Sequence, residues 1–102
     1  MKDEWEVYFE SVEAKIGELT ALESPLDPEG VEYRAIVAAF EEAHTSTVEV
    51  LIHDDQWSRV GAVFLVQEFY QTSRSWLDGG QQMGLPGLRL RLRHRYEDWL
   101  RQ

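Results

Sequence analysis

Apolar residues recur every three or four positions along most of the chain. Trp5, Tyr8, Phe9, Val12, Ile16 and Leu19 fall on one face at 100° per residue, which predicts a first helix over residues 3–22. "ESPLDPEG" follows with Pro25, Pro28 and Gly30 to end it, and Asp27-Pro28 reads as an N-cap with proline at the first helical position of the next element. A second helix is expected over 29–53. Within it "TSTVEVLI" is rich in β-branched residues, so 45–52 competes as a strand. The apolar face of Tyr33, Val37 and Phe40 nevertheless runs on through His44, Val48 and Leu51 without a change of register, and helix is the reading it favours.

Asp54 or Asp55 is the expected cap of a third helix over 56–77, closed by Asp78-Gly79-Gly80. Trp57, Val60, Val63, Phe64, Leu65, Val66, Phe69, Tyr70, Trp76 and Leu77 go nearly all the way round this helix. Such an element must be covered on several sides, by its own fold or by a partner. The last segment, "LRLRLRHRY", alternates like a half-buried strand over 88–96. Leu85, Leu88, Leu92, Tyr96 and Trp99 also keep the three-four rhythm, and Leu and Arg are good helix formers. A fourth helix over 85–101 is therefore expected, with Leu90 on its outer face. The expected fold is all-α, a small four-helix bundle in one domain spanning 1–102. A Gly-rich linker at 78–87 would let the last helix dock loosely or reach another chain.

Composition narrows the function classes. A hydrophobic share of 43% with 12% aromatics is enough for a core in 102 residues. Zero Cys removes disulfides, thiolate metal sites and cysteine nucleophiles, and fits a reducing compartment. "MKDEWEVYFE" is acidic and amphipathic, unlike a secretory signal, and the longest apolar run, Val60 to Val66, is far below the roughly 20 residues of a membrane span. A cytoplasmic protein with no membrane association is expected.

The net charge of −9 is unevenly spread. Residues 1–55 hold fifteen Asp and Glu against three Lys and Arg, a balance of −12, whereas residues 56–102 hold four against seven, a balance of +3. On the first helix Asp3, Glu6, Glu10 and Glu13 form one stripe with about 5 Å of rise between carboxylates. Like charges one turn apart repel mildly, so helix stability alone does not account for the stripe. It suits a basic partner protein as well as it suits an ordinary solvated face.

Arg89, Arg91, Arg93 and Arg95 make the opposite concentration. Guanidinium groups bind phosphates, but the chain is acidic overall and the interleaved residues are Leu, where a single strand would prefer stacking aromatics. The four are expected to pair with carboxylates of the chain or of a second copy, and nucleic-acid binding ranks below that. Glu41 and His44 form a Glu-x-x-His pair one helical turn apart, the element that ferritin-like bundles use twice to hold iron, with Glu10 or Glu13 as further donors. A core histidine is the simpler account, and no cofactor is expected. "HDD" at 53–55 is explained as helix capping.

These observations converge on a small acidic protein-interaction module, an adaptor or an inhibitor of the immunity-protein type, acting without catalysis on a basic partner. A homodimer through Trp57, Val60 and Phe64 is expected beside it. A metal- or small-ligand-binding bundle using Glu41 and His44 is the first alternative, and a nucleic-acid binder through the Arg cluster the second.

Overall fold

The computed structural model describes residues 2–17 and 26–102. Within them the chain forms α1 (Glu4–Ile16), α2 (Val31–His53), α3 (Arg59–Asp78) and α4 (Gly84–Leu100). Residues 18–22 of the first expected helix lie outside the described residues. The two segments with strand character, 45–52 and 88–96, are helical, inside α2 and α4.

Two helix starts differ from the sequence expectation. α2 starts at Val31 with Gly30 as its N-cap, because Asp27 and Pro28 are used in a turn: Gly30 N–H donates to the Asp27 carbonyl and Glu29 N–H to the Asp27 carboxylate. Neither Asp54 nor Asp55 caps α3. Gln56 takes a left-handed φ of 59°, and Ser58 does the capping by accepting the Gly61 N–H at 3.1 Å. Asp54 instead closes α2. Serine is as good a cap as aspartate, so the motif alone could not choose between them.

α1–α2, α2–α3, α3–α4 and α4–α1 pack as neighbours, and α1 meets α3 across the diagonal. The side-chain pairs run in opposite directions along each neighbouring pair: Ser11 with Ser46 and Lys15 with Glu42, Phe40 with Trp76 and His44 with Tyr70, Trp57 with Trp99 and Glu68 with Arg95, Glu4 with Tyr96 and Trp5 with Arg89. The bundle is thus antiparallel around its whole ring. Tyr8, Phe40, Phe69, Leu51, Leu65, Leu88 and Leu92 fill the centre, each essentially without solvent contact. Each such side chain contributes about 1.5–3 kcal/mol by leaving water. An exposed ion pair contributes about 0–1 kcal/mol, so the apolar faces hold the bundle together and the charges decorate it.

α4 packs against α3 and α1, and much of the segment expected as a Gly-rich linker, 78–87, is structured. Gly84, Leu85 and Pro86 already belong to the helix, leaving residues 79–83 as connection. Pro86 is tolerated in the first turn because the N–H it lacks has no helical partner there. Gly80, Gln81, Met83 and Gly84 all take left-handed backbone angles, and the turn they make is pinned from inside. Trp76 Nε1–H donates to the Gln82 carbonyl at 3.1 Å, and buried Gln81 donates to the Leu77 carbonyl at 2.8 Å. Gly87 packs so tightly on this turn that a Cβ there would stand 2.1 Å from the Gln82 carbonyl oxygen. Among the described residues no helix is long and apolar enough to cross a membrane.

Candidate functional site

The acidic stripe lines one wall of a groove between α1 and α4. At one end Glu6, Glu10 and Glu13 face Leu85, Pro86 and Arg89 over a floor of Trp5 and Phe9, in a cleft of about 220 Å³. At the other end Asp3 and Glu6 face Arg89, Arg93, Tyr96 and Leu100, in a cleft of about 430 Å³. Trp5, Glu6 and Arg89 belong to both ends. The carboxylates are not equally free. Glu6 reaches back to accept the Asp3 N–H at 3.2 Å, so it also serves the helix start. Lys2 forms an ion pair with Glu10. Asp3, Glu6 and Glu13 have no ion pair among the described residues.

Helical geometry splits the arginine row. Residues two apart lie 200° apart on a helix, so Arg89 and Arg93 turn towards α1 while Arg91 and Arg95 turn the other way. The Arg89 guanidinium stands over the Trp5 ring, 5.0 Å from its centroid. Arg93 lies 3.8 Å from Glu97, one turn on. Arg91 donates to the Gln82 side chain at 3.3 Å. Among the described residues Arg95 makes the one inter-helix ion pair of the four, donating through Nε and Nη2 to a single oxygen of Glu68 at 3.0 and 2.8 Å. A strand would have aligned all four on one face for a phosphate backbone; the helix sends them to separate partners.

The acidic half also meets α4 through a neutral group. Tyr96 donates its hydroxyl to Glu4 at 2.6 Å. Burial, then this hydrogen bond to a carboxylate and the negative charges of Glu4 and Asp3, push the Tyr96 phenol above its ordinary value. Burial does the same to Tyr8.

The residues expected to self-associate separate: Trp57 precedes α3, outside the helix that was expected to hold it, whereas Val60 and Phe64 lie in its first two turns. Trp57 is half-buried and packs on Trp99, with ring centroids 6.0 Å apart. Val60 and Phe64 stay in water, each 67% exposed, and Val63 beside them is 39% exposed. The three form an apolar patch of one helical turn. The helix is covered by all three neighbours and still leaves this face bare.

Glu41 and His44 share a shallow polar depression of about 270 Å³ with Thr45, Gln67 and Tyr70, between α2 and α3. His44 sets its ring edge-on to Tyr70, centroids 6.0 Å apart, and its Nε2 is buried without a hydrogen-bond partner. Glu10 and Glu13, the further donors considered with them, line the α1–α4 groove instead. No group of three or more His, Asp and Glu able to hold a metal occurs among the described residues. His53 is exposed and joined to Glu49 at 3.0 Å, one turn before it.

Trp5 is the site residue that sequence reasoning placed only in the core. Its 4% exposure agrees with that, but its ring is covered by a guanidinium, a contact no periodicity reveals. No family model matches the chain, no curated protein matches its sequence, and no solved structure matches it.

Proposed function

We propose that this chain is a small acidic interaction module that acts in the cytoplasm as an adaptor or inhibitor, without catalysis, and that the α1 wall of the groove binds a basic partner protein. The observation that supports it is the set of four carboxylates on one groove wall, of which, among the described residues, only Glu10 has an ion pair. Carboxylates over an aromatic floor gain most from a cation that also brings apolar surface with it. Nucleic acid suits the same face poorly, because its phosphates would approach the Asp3, Glu6, Glu10 and Glu13 carboxylates, whose repulsion reaches about a Debye length, roughly 8 Å at physiological salt.

The test is native mass spectrometry of the protein purified from its source cells. Wild type is expected to carry a basic protein in fixed stoichiometry, and a variant with Glu6, Glu10 and Glu13 all changed to Gln is expected to lose it. A partner retained equally by both would contradict the reading.

One observation favours a second role. The bare Val60, Val63 and Phe64 face of α3 is of the kind that a second copy covers in a homodimer. It lies on a different helix from the acidic wall, so the two surfaces serve separate contacts.

A further inference from the structure

Resting on the basic-partner reading, we infer that the narrower end of the α1–α4 groove takes an arginine or lysine side chain from a basic amphipathic segment of the partner, and that Arg89 holds this position in the free protein. The cleft measures about 220 Å³, below the roughly 300–1,000 Å³ of sites that enclose a small molecule. One long side chain is the occupant of that size. Exposed Pro86, with the edges of buried Phe9 and Leu85 beside it, offers apolar surface to an aliphatic stem, and Glu13, with Glu10 and its Lys2 partner one turn before it, stands where the charged end would arrive. An acidic segment would meet three carboxylates there, and a wholly apolar one would strip water from them without replacing it.

Arg89 shows that the site accepts such a group. Its guanidinium lies on the Trp5 ring at 5.0 Å, and no ion pair joins it to a carboxylate among the described residues. The ring face and the negative surroundings hold it. A partner cation must then share the site with a like charge, or move Arg89 off the ring. Either way Arg89 weakens binding, and the remaining charge of the wall decides that binding still occurs. The opposite sign would follow if Arg89 received an acidic group, so the direction of the effect separates the two.

Isothermal titration of the full chain settles it, using a blocked helical peptide of leucine and arginine, and its counterpart with every arginine replaced by glutamate. Wild type is expected to bind the arginine peptide and not the glutamate one. Arg89→Gln is expected to tighten binding about threefold, the size of an exposed cation–π contact, and Glu13→Gln to weaken it about twofold at low salt. Both positions are exposed, and unchanged melting curves would show that the variants fold. Wild-type binding that Arg89→Gln leaves unchanged or weakens would overturn the inference while the basic-partner reading stands. Failure of both wild type and Arg89→Gln to bind the arginine peptide would overturn both.

Discussion

The Tyr8 and Ser73 hydroxyls lie 3.0 Å apart in the core and join α1 to α3 across the diagonal of the bundle. Ser73 also donates to the Phe69 carbonyl at 2.8 Å, so the Tyr8 hydroxyl is the donor between the two. Each is fully buried. The chain of three groups is ordered, and its members are not equivalent.

Removing the middle group should cost more than removing the end. Ser73→Ala strands the Tyr8 hydroxyl and is expected to lower stability by about 1–3 kcal/mol, whereas Tyr8→Phe leaves the Ser73 donor satisfied and is expected to cost about 0.5–1.5 kcal/mol. The double variant should cost less than the two together, because no polar group is left stranded. Urea denaturation of the three variants measures this, and a Tyr8→Phe loss larger than that of Ser73→Ala would contradict the assigned direction of the bond.

Alkaline pH should act through two phenols. Tyr8 is held above its ordinary value near 10 mainly by burial, and Tyr96 by burial together with its bond to Glu4. A group whose folded value is raised contributes stability that is complete below its unfolded value. That stability is lost as pH rises through the folded one. Stability should therefore fall above pH about 10, and the tyrosinate absorbance of Tyr8 and Tyr96 should appear together with unfolding. Tyr96→Phe is expected to make the alkaline decline shallower. An unchanged decline in that variant would remove Tyr96 from the explanation.

Much of this architecture was legible because periodicity is a direct image of burial. Leu85, Leu88 and Leu92 are buried while Leu90 is 43% exposed, as the three-four rhythm required and the Leu-Arg alternation did not. What failed were features fixed by local competition between similar groups. Ser58 outcompeted two aspartates as a cap, and the glycines of the linker served a tight turn under Trp76 rather than slack. The stripe on α1 and the arginines on α4 were each visible in the sequence. Their meeting across one groove, with Arg89 set on Trp5, depends on how two helices separated by most of the chain rotate towards each other. No single-helix pattern encodes that.

The apolar turn on α3 has its own consequence. With Val60 and Phe64 each 67% exposed, Phe64→Glu should cost the monomer little, because the side chain is already in water. It should abolish self-association at micromolar concentration, measured by sedimentation velocity. A wild type that sediments as a monomer at every attainable concentration would remove the dimer.

The most direct test of the basic-partner claim is a ¹⁵N NMR titration of the full chain with the leucine–arginine peptide. Shifts are expected to concentrate on Glu6, Phe9, Glu10, Glu13, Leu85 and Arg89, and to fade as salt screens the carboxylate wall. Shifts centred on Phe64 and Val60, or equal response to the glutamate peptide, would contradict it.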